Sequence, residues 1–245
     1  TAVTLTGSGI AENALPGTVV GMVSAVDPDV GDTATFSIVG GGGFALANRQ
    51  LSTTISFDYE ATPSVELTIR ATDGGGLSKD LVVIIPVIDK NEAPTDIALS
   101  ALTVSESASS NALVGFVSVT DPDDGDGDDA TFILLQDGGG AFRLDGSILR
   151  VAGNSLDFER SPTVTIMIRA KDKGGLFVDK TFAIDVTDVD EPASGLAVDP
   201  ASVRENQPIG TLVGLLTPIG DPDSAAGYTW TLTQNPGAFF AISGS

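Results

Sequence analysis

The segment Val87-Ile88-Asp89-Lys90-Asn91-Glu92-Ala93-Pro94 decides how this chain is organised. It begins as an apolar strand, continues as a group of carboxylate and amide side chains, and ends at a proline. A near copy, Val186-Thr187-Asp188-Val189-Asp190-Glu191-Pro192, follows about 99 residues later. Oxygen-rich segments of this kind between two β-rich blocks indicate junctions that need a cation.

The charge of the chain is strongly negative. Its 245 residues include 33 acidic and 12 basic side chains, which gives a net charge of −21. Such repulsion disfavours compact folding unless counter-ions relieve it, and it argues against nucleic acid or an anionic membrane as a partner. Solubility alone is the simpler explanation of this charge, so the charge by itself does not establish a cation site.

The residue types that are missing exclude several kinds of site. The chain has no histidine and no cysteine, which excludes Ser-His and Cys-His nucleophiles, disulfide bonds and thiolate sites. It also has no Gly-Lys-Ser/Thr phosphate loop. Carboxylate pairs can hydrolyse glycosides, but acids that recur in every repeat are not typical of a catalytic pair. We therefore predict that the protein is not an enzyme.

The sequence has no segment that resembles a membrane span. Its longest strongly apolar run, Leu81 to Ile88, is interrupted by Pro86, whereas a span needs about 20 apolar residues. No signal peptide is visible at Thr1. We expect a soluble fragment of a larger exported protein, without membrane insertion in this segment, whose parent protein can still be anchored at a cell surface.

Four short motifs recur in a fixed order, and each copy lies about 94 to 100 residues after the previous one. This order predicts two complete repeats, at residues 1–95 and 96–193, and an incomplete third repeat at 194–245. We expect the third repeat to be completed by further chain or to be unusually mobile. The motifs are Ala11-Glu12-Asn13 with Ser105-Glu106-Ser107 and Arg204-Glu205-Asn206; Asp27-Pro28-Asp29 with Asp121-Pro122-Asp123 and Asp221-Pro222-Asp223; Phe57-Asp58-Tyr59-Glu60 with Leu156-Asp157-Phe158-Glu159; and Arg70-Ala71-Thr72-Asp73-Gly74 with Arg169-Ala170-Lys171-Asp172-Lys173.

Apolar and polar residues alternate as half-buried strands require, for example at Val65, Leu67, Ile69 and Ala71. The pattern predicts an all-β fold of tandem seven-stranded Greek-key β-sandwiches, joined end to end by calcium-binding linkers. Pro86 takes an outward position, which indicates a sheet edge or a bulge. Besides the strands around residues 65–71 and 81–88, we predict strands at Val3 to Leu5, Val19 to Val26, Ala34 to Val39, Phe44 to Ala47 and Leu51 to Ile55.

The carboxylates lie where the apolar alternation stops, so we expect them to gather at the ends of each sandwich. A bare cluster of negative charges repels, and a hard divalent cation turns that repulsion into binding. Calcium takes about six to eight oxygen ligands from carboxylates, amides and backbone carbonyls. Zinc is disfavoured without histidine or cysteine, and magnesium prefers to keep its waters in a small octahedral shell. The sequence therefore predicts Ca2+ at the junctions.

This set of motifs resembles the calcium-binding pattern of cadherin repeats. It is most similar to the bacterial cadherin-like repeat, with its Asp-x-Asn-Glu-Ala-Pro linker and its Ala-Thr-Asp-Gly-Gly-Gly turn, and the resemblance covers essentially the whole chain. For the first junction it implies one or two inner ions and one outer ion. The implied inner ligands are Glu12, Asp58, Glu60, Glu92 and the carbonyl of Lys90; the implied outer ligands are Asn91, the carbonyl of Ala93, Asp121, Asp123 and Asp172, with Asp123 bridging towards the middle ion.

For the second junction the resemblance implies a less complete site. Pro192 directly follows Glu191, and the incomplete third repeat offers no counterpart of Asp172, so we expect only partial loading. Asp27, Asp29 and Asp73 need an upstream linker and should bind weakly or not at all. The implied ligands of this junction are Glu106, Asp157, Glu159, the carbonyl of Val189, Asp190, Glu191, Asp221 and Asp223.

Two functions remain open from the sequence. The first is a calcium-dependent, rod-forming adhesion segment on a bacterial cell surface, whose partners are other cadherin-like repeats or surface polysaccharide. The alternative is a carbohydrate-binding module of a secreted polysaccharide-degrading or biofilm protein. That alternative needs aromatic platforms, whereas Tyr228 and Trp230 alternate like neighbours in a strand and are expected in a sandwich core. Adhesion by exchange of a tryptophan is not supported, because residues 1–15 contain none.

Overall fold

A computed structural model describes residues 2–7, 9–27, 33–123, 130–153, 156–223 and 227–243. Regular structure in these ranges consists of β-strands and one 3-10 turn at Pro236–Ala238. The described residues form no helix that is long and apolar enough to cross a membrane. The chain forms two compact units. Unit 1 comprises Thr1–Thr95, Thr120–Asp129 and Asp172–Leu176; unit 2 comprises Asp96–Val119, Ala130–Lys171 and Phe177–Ser245.

Unit 1 is a sandwich of two four-stranded sheets, with strand orders β1-β3-β6-β5 and β2-β8-β7-β4. The first strand of the repeat is split between the two sheets, so eight segments occur where about seven strands are predicted. The switch passes through Gly9 at φ +115°, where an added Cβ would lie 2.8 Å from the Pro86 carbonyl oxygen. The strands are β1 Ala2–Thr6, β2 Ile10–Ala11, β3 Val19–Val26, β4 Thr35–Gly40, β5 Phe44–Ala47, β6 Gln50–Thr53, β7 Ser64–Thr72 and β8 Ser78–Ile88.

The core of unit 1 lies between these sheets and follows the predicted alternation. Leu67 and Ile69 on β7 are fully buried, whereas Glu66 and Arg70 beside them are exposed. Burial of one such leucine or isoleucine side chain contributes about 1.5–3 kcal/mol. The sandwich therefore depends on every second residue of its long strands.

Pro86 lies on the edge side of β8, as its outward position predicts. Strand β8 pairs with β7 along its length but with β2 only at Val87 and Ile88. The backbone N of Asp185, the counterpart of Pro86 in unit 2, donates to the Leu102 carbonyl. Proline has no N–H to donate, so the parallel pairing is one residue shorter in unit 1.

Unit 2 contains a second sandwich with the same topology, in the orders β9-β11-β14-β13 and β10-β16-β15-β12. Its core includes Phe142, Leu149, Ile166, Ile168 and Ile184. The prediction of tandem β-sandwiches is confirmed. The strands are β9 Asp96–Leu99, β10 Thr103–Ser105, β11 Leu113–Thr120, β12 Thr131–Gln136, β13 Phe142–Asp145, β14 Ile148–Val151, β15 Thr163–Lys171 and β16 Phe177–Thr187.

The chain from Ser194 onward, also part of unit 2, has little regular structure. It contains one antiparallel pair, β17 Gly195–Asp199 and β18 Leu215–Ile219, and none of its described side chains is buried. The prediction that Tyr228 and Trp230 lie in a strand is wrong, because neither residue pairs with another strand; their rings stack on each other with centroids 5.3 Å apart. The repeat boundaries and the mobility of this segment stay predictions.

Candidate metal centres

Among the described acidic residues of unit 1, Glu12 is the most buried, with 1% of its surface exposed. Its backbone N donates to the Ile88 carbonyl, which places Glu12 directly after β2 and beside the end of β8. Its carboxylate accepts two backbone N–H bonds, from Lys90 to Oε1 at 2.7 Å and from Tyr59 to Oε2 at 2.9 Å. These bonds hold the carboxylate in place and join three separate parts of unit 1.

Glu12 belongs to a cluster with Glu60, Asp89 and Asp123, which we call cluster 1. One oxygen from each carboxylate lies within 4.8 Å of an oxygen from every other. No ion pair between described residues involves any of the four. Four negative side chains without a basic partner favour a proton or a cation among them.

The pKa values in cluster 1 reflect this crowding. Burial, followed by repulsion from Asp123 and Glu12, raises the pKa of Asp89 above its ordinary 3.8. For Glu60 a backbone hydrogen bond lowers the pKa, but burial and repulsion from Glu12 and Glu92 outweigh it and the pKa is raised. The cluster therefore resists carrying its full negative charge.

Asp123 supplies an oxygen that receives no hydrogen bond. Its Oδ2 accepts from the Glu92 backbone N at 2.5 Å, and its own backbone N donates to Asp121 Oδ1 at 3.3 Å. Its Oδ1 is buried without a hydrogen-bond donor among the described residues. A buried oxygen without a donor is costly, so this atom fits a cation ligand.

A second group of predicted ligands meets around Asn91. The Asn91 amide nitrogen donates to Asp172 Oδ2 at 2.9 Å, and Asp172 is 8% exposed. Burial raises the pKa of Asp172, but the hydrogen bond from Asn91 and backbone N–H groups of residues 174–176 outweigh it and lower the pKa. An added Cβ at Gly174 would lie 2.1 Å from Asn91 Oδ1, so only glycine leaves room for this amide. The amide has to turn over before its oxygen can face a cation beside Asp172.

Unit 2 repeats the arrangement at its own linker. Glu106 Oε1 accepts from the Val189 backbone N at 2.6 Å and Oε2 from the Phe158 backbone N at 2.7 Å. Asp223 Oδ2 accepts from the Glu191 backbone N at 2.5 Å. The carboxylates approach in two overlapping groups, Glu106 with Glu159 and Glu191, and Glu159 with Asp188 and Asp223, which together we call cluster 2.

Cluster 2 shows the same electrostatic features as cluster 1. Burial, followed by repulsion from Asp223, raises the pKa of Asp188. Burial, followed by repulsion from Glu106, raises the pKa of Glu191. Glu191 Oε2 and Asp223 Oδ1 are buried and receive no hydrogen bond from the described residues. Two linkers with different sequences thus build similar sets of acceptors, and cluster 2 has Glu191 in addition.

Several predicted ligands lie outside these clusters. Asp58 and Asp157 accept backbone N–H bonds within their own turns, from Ala61 and Arg160 respectively. Asp73 accepts from the Leu77 N at 2.8 Å, also within a turn. Asp29 lies outside the described residues. The remaining predicted ligands, which stay predictions, are Glu92 (bonded to the Asn13 amide), Asp121, Asp190, Asp221 and the carbonyls of Lys90, Ala93 and Val189.

Asp89 and Asp188 are not among the ligands predicted from the sequence, although both lie in the clusters. The signal was present, because each is the first residue of its linker and lies three positions before the linker glutamate. Each directly follows the last residue of a long strand, β8 or β16, where its carboxylate can turn towards Glu12 or Glu106 of the same repeat.

Comparisons with known proteins agree with this architecture. A family model for the cadherin domain matches residues 8–88. Human protocadherin gamma-A11 is 32% identical in an alignment of 237 residues that covers 88% of this chain and 25% of the relative. Human cadherin-22 is 34% identical in an alignment of 199 residues that covers 69% of this chain and 23% of the relative. The chain thus spans about a quarter of these relatives.

Solved structures of tandem extracellular cadherin (EC) domains also match. Mouse cadherin-23 EC22-24 has a TM-score of 0.63 at 25% identity, covering 86% of this chain and 74% of that one. The protocadherin gamma B4 extracellular domain has a TM-score of 0.63 at 26% identity, covering 90% and 38% respectively. Fold, recurring motifs and relatives agree, and the chain is a cadherin repeat protein.

Proposed function

We propose that clusters 1 and 2 bind Ca2+ and that the bound ions stiffen the linkers of an extracellular, adhesive array of cadherin repeats. The observation that carries the proposal is the repetition of one arrangement at two linkers. In each, a glutamate accepts two backbone N–H bonds, an aspartate keeps a buried oxygen without a donor, and further carboxylates crowd around them. Exposed acids placed only for solubility do not require such burial.

The ligand chemistry favours calcium among biological cations. The donor set consists of oxygen atoms, which suit a hard cation with a large and flexible coordination shell. In cluster 1, Glu12, Glu60, Asp89 and Asp123 would hold the ion directly. Asp58, Glu92 and the Lys90 carbonyl would complete this shell, and an outer ion would use Asn91, the Ala93 carbonyl, Asp121, Asp123 and Asp172.

In cluster 2 the direct ligands would be Glu106, Glu159, Asp188, Glu191 and Asp223. Asp157, Asp190, Asp221 and the Val189 carbonyl would join them, and we expect lower occupancy because no counterpart of the Asn91–Asp172 contact is predicted there. The bound ion neutralises the repelling carboxylates and ties the linker to the sandwich. Without it, the same charges push the linker away and the repeats can hinge.

The relatives support adhesion as the biological setting. They are cadherins and protocadherins, so we propose other cadherin repeats as partners and an extracellular location. The first linker resembles that of bacterial cadherin-like repeats, so we propose a bacterial cell surface as this location. Extracellular calcium modules often bind in the range of about 10⁻⁴–10⁻³ M. The carbohydrate-binding alternative is not favoured, because the relatives are cadherins and Tyr228 and Trp230 stack on each other.

Small-angle scattering of the intact chain, in chelator and then in excess calcium, tests the stiffening. We expect calcium to increase the maximum dimension and to narrow the distance distribution, because hinged repeats become an extended array. The double variant Glu12→Gln, Glu106→Gln should lose this response, whereas Glu66→Gln, an exposed glutamate of β7, should keep it. An unchanged maximum dimension in the unmodified chain would remove the proposal.

A further inference from the structure

The outward face of one sheet in unit 2 carries two arginines on neighbouring strands. Arg143 of β13 and Arg150 of β14 are direct partners in the antiparallel pair, so their side chains share a face. Leu149 and Val151, on either side of Arg150, are fully buried, so the shared face is the outward one. Like charges that lie directly opposite each other destabilise a sheet. The position of the two arginines therefore does not favour folding.

Unit 1 forms the same sheet without these arginines. Its strand β6 pairs with β5 and β3 in the register in which β14 pairs with β13 and β11. Ala45 and Ser52 of unit 1 occupy the positions of Arg143 and Arg150. The two sandwiches thus differ by two positive charges at this place, although the chain as a whole has a net charge of −21. The arginines of unit 2 therefore serve something other than folding.

Asn111 fixes the side chains of both arginines. Arg143 Nη2 donates to the Asn111 side-chain oxygen, and Arg150 Nη1 donates to the Asn111 backbone carbonyl at 3.1 Å. Asn111 has φ +78°, a backbone conformation that asparagine adopts more readily than most residues. Gly17 takes this place in unit 1 and also has a positive φ. Glycine has no side chain that could accept a bond, so the asparagine is a third difference that belongs with the two arginines.

The two guanidinium groups keep most of their donors for a ligand. Each has five N–H donors, and the hydrogen bonds among the described residues use one donor of each group. Asp145 Oδ2 lies 3.6 Å from Arg150 Nε, which is too long for a hydrogen bond, and the aspartate side chain is 61% exposed. Two positive side chains and one negative side chain leave a net positive charge at this place. A carboxylate suits it, because its two oxygens accept forked N–H bonds from a guanidinium group.

Exposed apolar side chains lie beside the arginines on the same face. Leu113 is 51% exposed and Phe116 is 53% exposed, both on β11. Two rows of three residues cross β11, β14 and β13, and together we call them the arginine patch. The first row is Leu113, Arg150 and Arg143, and the second row is Phe116, Ile148 and Asp145. Along β14 the rows are two residues apart, which is about 7 Å. The patch therefore places a cationic site next to an apolar one.

We propose that the arginine patch binds an extended segment of a partner protein in which an acidic residue and a large apolar residue are two positions apart. In an extended segment such residues point to one side, about 7 Å from each other, which is the spacing of the two rows. The carboxylate accepts N–H bonds from Arg143 and Arg150, and the apolar side chain packs on Phe116 and Ile148. Apolar burial and charge-assisted hydrogen bonds thus act together in one contact.

An acidic protein segment fits this patch better than a polyanionic chain does. Asp145 lies in the second row and repels a further negative charge, so an anionic polysaccharide with a charge on every sugar is disfavoured. Leu113, Phe116 and Ile148 offer apolar surface, which suits an aliphatic or aromatic side chain rather than sugar hydroxyls. No carboxylate of cluster 1 or cluster 2 belongs to the patch, so the contact is independent of the proposed calcium sites.

Chemical-shift titration of the isotope-labelled intact chain tests the proposal. The probe is a capped synthetic peptide with the sequence Ser-Thr-Glu-Thr-Leu-Thr-Ser. One control peptide has glutamine in place of the glutamate, and the other has the glutamate directly before the leucine. We expect the probe to shift the amide signals of β11, β13 and β14 in calcium and in calcium-free buffer alike, and both controls to bind at least about tenfold more weakly. No shift at these strands, or equal binding of the probe and either control, overturns the proposal.

Substitutions separate binding from folding. Arg143→Ala with Arg150→Ser introduces the residues of unit 1 and should weaken binding of the probe at least about tenfold without lowering Tm. Lys79→Ala with Arg204→Ala removes the same charge from exposed sites elsewhere and should leave binding unchanged. Asp145→Ala removes the acid beside Arg150 and should strengthen binding. An arginine variant that binds the probe as well as the unmodified chain does, or a preference for polygalacturonate over the probe, overturns the proposal.

Discussion

Replacement of Glu12 by glutamine separates the two tasks that the structure gives this side chain. The carboxylate accepts N–H bonds from Tyr59 and Lys90, and it also contributes charge to cluster 1. Glutamine has nearly the same shape but only one acceptor oxygen, so one buried N–H loses its partner. The variant therefore tests the hydrogen bonds in chelator and the cation site in calcium.

In chelator, the unsatisfied N–H costs about 1–3 kcal/mol of the free energy of unfolding of unit 1. Relief of the repulsion from Glu60, Asp89 and Asp123 offsets part of this cost. In calcium at about 10 to 100 times the Kd, an ion bound only to the folded state adds about 1.4–2.7 kcal/mol. For a domain of this size, each kcal/mol moves Tm by about 4–8 °C.

Differential scanning calorimetry in chelator and in calcium measures both effects. We expect Glu12→Gln to lower the Tm of unit 1 modestly in chelator and to lose most of the increase that calcium gives the unmodified chain. Glu66→Gln, an exposed glutamate of the same unit, should match the unmodified chain in both conditions. If Glu12→Gln keeps the full calcium-induced increase, Glu12 is not a ligand and the assignment of cluster 1 is wrong.

Three further predictions follow from the same structure. The pKa of Asp89 is raised, so the folded state without calcium holds protons that the unfolded chain releases. In chelator, Tm should therefore fall as the pH rises from about 4 to neutral. In calcium, which competes with protons for the same carboxylates, this trend should reverse. Gly174→Ala would push a methyl group into Asn91, so calorimetric titration should show weaker calcium binding. Gly153→Ala, where the added methyl group meets open space, should leave the calcium affinity unchanged. Equal affinities of the two variants would contradict the outer site. Ile168→Ala should destabilise unit 2 by about 2–5 kcal/mol in urea unfolding, because Ile168 is fully buried; a loss below 1 kcal/mol would contradict its place in the core.

Much of the fold could be predicted because alternation and recurrence are local properties of the sequence. The strand Ser64–Thr72 is apolar at every second residue, so its register and buried face follow directly. The split first strand could not be predicted, because it depends on the approach of Gly9 to Pro86, which are distant in sequence. The proposed strand at Tyr228 and Trp230 failed because alternation over three residues cannot supply a strand to pair with.

The candidate sites were predictable in part. Glu12 and Glu106 stand out because their motif recurs, but the two backbone N–H bonds that fix each carboxylate come from residues about 50 and 80 positions away. Asp89 and Asp188 belong to the acidic linker segments but have no predicted ligand role, since sequence spacing does not show which way a carboxylate turns after the last paired residue. Their approach to Asp123 and Asp223 emerges only once each linker is folded.

Anomalous scattering from crystals grown in millimolar calcium tests the central claim most directly. We expect a peak at each cluster, within about 2.3–2.6 Å of Glu12, Asp89 and Asp123 in the first and of Glu106, Asp188 and Asp223 in the second. The first should be at full occupancy and the second weaker. Water alone at both clusters, with the carboxylates turned away from one another, would contradict the account.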